Sequence, residues 1–451
     1  MRVPELDKVL GLEVYATDTT GIGGVIRSSV EDFVVEEVLV DGSVARIEKN
    51  AGSQALGASA SRQRYLLCVL VKRNWDTFVA VKNIAEQLAI DQTQIHIAGI
   101  KDAKAVTAQH ITIENVTMEE TYRIQVKDIK VRPIGFFRDA LSPFYLLGNK
   151  FTITIKAVKH TAAIVERTLS ETVEKLQAVG GIPNFFGHQR FGTTRPITHL
   201  VGKAIVNGDF MEAVMLFLAK PSPHEHPESR QARKELDSTR NFARSLQTFP
   251  KQLRFERLLL RHLAEQPDDF VGAIQRLPVK LQMLFVQAYQ SYLFNRFLSE
   301  RIRSGFPLNA AEAGDYVVNV ERSGLPMVKT GKLATPSSLA EINEMVRVGK
   351  LRVALPLVGF RQNLSQGVMG EIEERILESE VVETERFRVA EIPRISGQGE
   401  MRTVISPIRD FNVHAAGEGQ VKLGFMLFRG SYATMLLREV MKPRNPIAAG
   451  F

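Results

Sequence analysis

The chain has 451 residues, 44% of them hydrophobic, enough for a buried core and roughly two to three domains of ordinary size. Lys and Arg number 58 against 50 Asp and Glu, so the net charge is +8 and an anionic partner such as nucleic acid is favoured. One cysteine excludes intramolecular disulfides and multi-cysteine zinc sites, and no run nears the ~18 apolar residues of a membrane span; with no apolar signal region in "MRVPELDKVLGLEVY", the expectation is a cytoplasmic protein with no membrane association.

Up to about residue 160 the chain reads as strands. "TGIGGVI" at 20–26 lacks the third glycine of a dinucleotide fingerprint and runs into a charged strand, so it predicts no nucleotide site. "DFVVEEVLV" is a strand with acidic ends and carries Phe33. "RYLLCVLVKR" is a strand that buries Cys68 as a core thiol. Trp75 follows beside Lys72, Arg73 and Asn74, either a structural ring at a strand-to-helix turn or an RNA-stacking one. A helix, "DTFVAVKNIAEQLAI", comes next. The strands "TQIHIAGI", "AQHITIENV", "RIQVKDIKVRPIGFF" and "FTITIKAV" complete this region; in the last, Phe151, Ile153 and Ile155 alternate with polar neighbours, the mark of a sheet with one covered face.

"TAAIVERTLSETVEKLQAVGG" is a helix with Val165, Leu169, Val173 and Leu176 on one stripe and Gly180-Gly181 at its end. After the loop "GIPNFFGHQRFGTTRP", residues 196–340 read as helical, with "DFMEAVMLFLA", "KQLRFERLLLRHLAE" and "VKLQMLFVQAYQSYLFNRFLSERIR" the clearest segments. "KTGKLAT" lacks the upstream glycine and the Ser or Thr of a phosphate loop. Strands return at "LRVALPLV" and "GQVKLGFMLFRG", and "SYATMLLREVM" is a final helix. The order predicts an α+β protein: a mixed-sheet core, residues 1–183 and 397–451, interrupted by a helix-rich insertion, 184–396.

Four stretches carry candidate chemistry. "GIKDAKAVTAQ" sets Asp102 between Lys101 and Lys104 just past a strand, either a turn former or a catalytic carboxylate. "NFFGHQRFG" gathers Asn184, three phenylalanines and Gln189 between glycines, which fits a base pocket with a ring to stack on and an amide to hold polar edges. In "FRGSYATMLLREVM", Ser431 is placed to cap the helix, and Arg429, Arg438, Lys442 and Arg444 form a solvated basic side or a phosphate contact. His224 and His226 in "PSPHEHPESR" have no third ligand near in sequence, so no metal site is expected.

Together, and in this order after "EDFVVEE", the segments "GIKDAKAVTAQ", "NFFGHQRFG", "QAYQSYLFN" and "RGSYATMLLREVM" resemble the TruD-type pseudouridine synthases, over about residues 24–441. The resemblance implies a pseudouridine-synthase core with an inserted domain, of the larger archaeal and eukaryotic type. It also implies a tRNA substrate, typically at uridine 13, and no cofactor. It makes Asp102 the catalytic aspartate, Asn184 and Phe186 the N-x-F loop whose phenylalanine stacks on uracil, and Arg27 the basic residue near the aspartate, where a bacterial pattern has lysine. Phe33 matches the phenylalanine of the first strand. The alternative is a non-catalytic RNA-binding or RNA-folding protein on the same scaffold, which has no need of the acid.

Overall fold

The computed structural model describes residues 2–48, 55–417 and 419–451. Its strands are, in chain order, β1 (Phe33–Leu39), β2 (Tyr65–Arg73), β3 (Ile95–Ile97), β4 (Val106–Glu114), β5 (Ile129–Phe137), β6 (Leu146–Ile155), β7 (Ile182–Pro183), β8 (Tyr316–Val320), β9 (Pro326–Leu333), β10 (Leu351–Leu357), β11 (Glu400–Thr403), β12 (Ile405–Ser406), β13 (Arg409–Gly417) and β14 (Gln420–Phe428). One mixed sheet runs β13-β14-β6-β1-β4-β2-β5, with β3 added to β4. Only β1 and β4 pair in parallel, Val34 opposite Val106; the other pairs are antiparallel.

Side-chain pattern explains the layers. On β6, Phe151, Ile153 and Ile155 point into the core while Thr152 and Thr154 are only half-buried. β14 lies along β6 with Phe425 opposite Phe151, so a strand from the chain's last thirty or so residues completes a sheet begun in its first forty. The stripe Val165, Leu169 and Leu176 of the helix Ala162–Ala178 shares a cluster with Leu436, Leu437 and Val440 of the helix Ala433–Met441 and with β6 and β14. β2 is buried along almost its whole length, and the helix Thr77–Leu88 sets Ala80 and Ile84 against its Leu66, Cys68 and Leu70. Cys68 is a buried free thiol, and burial raises its pKa well above the ordinary value.

Helices dominate residues 198–303, centred on the 25-residue helix Val279–Arg303, which packs against Thr198–Val206. A smaller sheet, β11-β10-β8-β9, lies beyond it in sequence. The β8–β9 hairpin falls inside a stretch expected to be helical. The turn at Gly324, φ +90°, reverses the chain, and β9 alternates half-buried with exposed residues, as an edge strand does, so it lacks the apolar alternation that marks a covered strand in sequence. β13 was likewise not expected, and in "TQIHIAGI" only Ile95–Ile97 is strand. β7 and β12 pair where the chain leaves and re-enters the large sheet's neighbourhood, Ile182 opposite Ser406. No helix among the described residues is long and apolar enough to cross a membrane.

Two expectations about the C-terminal helix are corrected. Tyr432, not Ser431, occupies its N-cap position; Ser431 instead shares a 2.6 Å hydrogen bond with the Ser406 hydroxyl of β12. Arg438 and Lys442 are buried rather than solvated: Arg438 donates to Asp7 at 2.6 Å, and Lys442 donates to the carbonyls of Thr17 and Thr19. Both tie the N-terminal segment to this helix.

Candidate active site

The loop between β3 and β4 opens onto a cleft of about 430 Å³ whose lining includes Arg27, Phe33, Ile100, Asp102, Gln189 and Tyr432. The Asp102 side chain is 39% exposed, enough to meet a ligand without being fully hydrated. Arg27 donates to its Oδ1 at 3.2 Å and, through its other terminal nitrogen, to the Gly450 carbonyl at 3.1 Å. The guanidinium carbon lies 4.1 Å from the centroid of the Phe33 ring. Arg27 is thus held on one side by the ring of β1 and on the other by the C-terminal backbone, and its planar fork is aimed at the carboxylate. Its own backbone is left-handed, φ +57°, a conformation rare for a side chain of this size. Burial lowers the pKa of Arg27 and the Asp102 charge opposes that shift; a guanidinium so placed remains charged at neutral pH.

Beneath Asp102 lies a polar floor. Lys101 does not touch it. The Lys101 ammonium turns inward to Glu37 of β1 at 2.6 Å, both groups buried, and the other Glu37 oxygen accepts the His110 backbone N–H at 2.8 Å. Burial would raise the Glu37 pKa, but Lys101 and His110 outweigh it and hold the carboxyl below its usual range. The Thr77 hydroxyl accepts the Lys101 N–H and donates to the Lys101 carbonyl, each at 3.2 Å. Lys104 is exposed. Of the two lysines flanking the acid, one is an internal anchor and the other faces solvent.

Arg27, Phe33 and Asp102 therefore share one cleft; Asn184 and Phe186 sit one layer behind it. Phe186 is buried, its ring edge-on to Phe294 at 5.7 Å and to Tyr432 at 6.1 Å. The Arg402 guanidinium covers a face of that ring, 3.9 Å from its centroid. Asn184 is engaged on all sides. Its amide donates to the Thr403 carbonyl at 3.1 Å, and its side-chain and backbone oxygens both accept from Arg402 at 2.8 Å. Asn295 closes the loop from the long helix, accepting the Phe186 N–H at 2.9 Å and donating to its carbonyl at 3.1 Å.

Sequence reasoning missed Tyr432 and Arg402 as members of the site, and it named Gln189 only among the polar residues of its loop. Tyr432 is the wall that separates Phe186 from the cleft, and Gln189 is the residue of the 184–192 loop that lines it. The signal for Tyr432 was present, an aromatic at the first turn of a basic helix, but the same pattern fits plain packing. Arg402 carried no signal, since its role depends on β11 passing under the 184–192 loop. Among the described residues, no three His, Cys, Asp or Glu side chains gather as a metal site would need.

The description "tRNA pseudouridine synthase D (TruD)" belongs to a family model that matches residues 9–440. A Methanosarcina mazei protein named as a probable tRNA pseudouridine synthase D is 37% identical, with 99% of each chain covered. One of the same name from Methanosarcina acetivorans is 39% identical over 98% of each. The crystal structure of a Methanosarcina mazei protein assigned as tRNA pseudouridine synthase D matches with a TM-score of 0.84 and 36% identity, covering 99% of this chain and 100% of that one.

Proposed function

The chain belongs to the TruD family of tRNA pseudouridine synthases, isomerases of uridine in tRNA, and we propose that it acts at uridine 13 with Asp102 as the reacting carboxylate. The observation that carries this is the Arg27–Asp102 pair, half-open at the floor of a nucleotide-sized cleft. The reaction breaks the bond from ribose carbon-1′ to the ring nitrogen, turns the uracil and rebonds it through carbon-5. The carbon-5 proton is lost and the freed nitrogen gains one, so atoms and electrons balance without a cofactor. Asp102 either adds to carbon-1′ or takes the 2′ proton. Both roles ask for a carboxylate held in place, and the Arg27 guanidinium donates to it at 3.2 Å.

The uridine must leave its stack, at a cost of a few kcal/mol. Phe33 and Tyr432 wall the cleft, and Phe186 receives the uracil once Tyr432 swings aside and Arg402 yields the ring face; base–aromatic stacking returns roughly 1–3 kcal/mol. Asn184 holds the loop through Arg402 and Thr403. Residues 184–396 serve as an inserted domain forming the far wall, with β11 continuing its sheet, and basic groups grip tRNA phosphates. Incubation with unmodified tRNA transcripts, followed by carbodiimide treatment and primer extension, tests the reading. A single new stop immediately 3′ of position 13 is expected; a stop marking another uridine overturns the choice of uridine, and no stop overturns the activity.

A further inference from the structure

Lys72, near the end of β2, is fully buried, yet its ammonium is spent on backbone carbonyls rather than on a carboxylate. It donates to the Trp75 carbonyl at 2.7 Å, to the Asp102 carbonyl at 2.8 Å and, more weakly, to the Lys101 carbonyl at 3.4 Å. The same turn holds the Asp102 loop at two more points. Thr77 brackets the Lys101 peptide, and the Asn74 N–H donates to the Ala105 carbonyl at 3.1 Å, from a left-handed backbone. The segment 72–77 is thus a clamp around the loop 101–105.

We propose that Lys72 is a positioning residue for the reaction: by gripping the Asp102 and Trp75 carbonyls together, its ammonium sets where the Asp102 carboxylate stands in the cleft. This rests on the reading of Asp102 as the reacting group. A charged donor suits the task, because bonds from an ammonium to a carbonyl are shorter and stronger than neutral ones. A misplacement of about 1 Å at a reacting group costs on the order of 10²-fold in rate.

The groups facing Lys72 make the clamp sensitive to pH. Burial lowers its pKa most, the Asp102 and Asp76 charges oppose that, and the Lys101 charge adds to the lowering; the balance falls from 10.5 to about 8. In the folded protein the proton therefore leaves as pH rises through about 8. The neutral amine keeps two N–H donors and no charge, so the grip on the loop weakens.

Single-turnover rates on unmodified tRNA are to be measured with the full chain from about pH 6 to about pH 9.5, beside tRNA dissociation constants from filter binding. Wild type, Lys72→Met, Thr77→Ala and Asp102→Asn are compared. The wild-type rate is expected to fall above about pH 8, a limb that Lys72→Met lacks. Lys72→Met should be about 10- to 100-fold slower at pH 7 with tRNA affinity within about twofold of wild type. Should Lys72→Met not fold, Thr77→Ala, which loosens the clamp from the Lys101 side, should still slow the reaction about threefold or more at unchanged affinity. A Lys72→Met rate within about twofold of wild type overturns the proposal, as does a loss of rate that only follows a loss of tRNA affinity. So does an unchanged Thr77→Ala rate. Full activity of Asp102→Asn would instead overturn the assignment of Asp102, a result separable from either.

Discussion

The loops 98–105 and 184–192 use polar chemistry in opposite ways. The first exposes one carboxylate and buries its support: Lys101 on Glu37, Lys72 on backbone carbonyls, Thr77 on the Lys101 peptide. The second buries nearly everything it carries. Phe185, Phe186 and Phe191 are 2%, 7% and 0% exposed, and Asn184 is spent on Arg402 and Thr403. Only Gln189 of that loop reaches the cleft. A loop rich in aromatics is therefore not by itself a stacking platform; its rings can be the core that seats a neighbouring wall, here Tyr432. An acid between lysines, in turn, need not be paired with either.

The contrast can be broken at its buried end. Glu37→Gln leaves the Lys101 ammonium unpaired in the interior and should destabilise the protein by about 3–5 kcal/mol, read by urea unfolding. Loss of less than about 1 kcal/mol would mean the pair is not the floor of the site. The same pair makes an acid-stability prediction. The folded-state pKa of Glu37 lies below 4.5, so its contribution is present above that pH and is lost as pH falls through the folded value. Wild type should lose melting temperature more steeply than Glu37→Gln below about pH 4.5, and parallel slopes would remove Glu37 from the account.

Phe186→Leu keeps most of the buried volume and removes the ring face. If the ring meets uracil, kcat/KM falls by about 5- to 150-fold, the equivalent of roughly 1–3 kcal/mol, while the melting temperature moves little. An unchanged kcat/KM would assign Phe186 to packing alone and complete the contrast between the loops. The smallest effect is expected at exposed Lys104. Lys104→Ala should change stability by less than about 0.5 kcal/mol and lower the salt slope of tRNA binding by at most about one.

Much of the large sheet was legible because its strands advertise themselves, as β6 does by alternation and β2 by an unbroken apolar run. Asp102 was legible through its place at a strand end and its company along the chain. Other features depend on contacts between distant segments, which no local pattern encodes. β9 is half exposed and charged, with no strand-like apolar alternation, so the hairpin with β8 was absorbed into a stretch read as helical. Lys72 read as a basic neighbour of Trp75, although the Asp102 carbonyl that defines its role arrives from thirty residues away. Ser431 fitted a cap by sequence, but Ser406 of β12 takes its hydroxyl. Arg402 over Phe186 could not be read before β11 was placed.

The central claim is that Asp102, and neither lysine beside it, performs the chemistry. Its most direct test is the single-turnover rate of Asp102→Asn on unmodified tRNA at saturating enzyme, with the bound fraction measured in the same tubes. The account predicts tRNA bound as by wild type and a rate lower by at least about 10²- to 10⁴-fold. A rate within about tenfold of wild type, with tRNA equally bound, would contradict it.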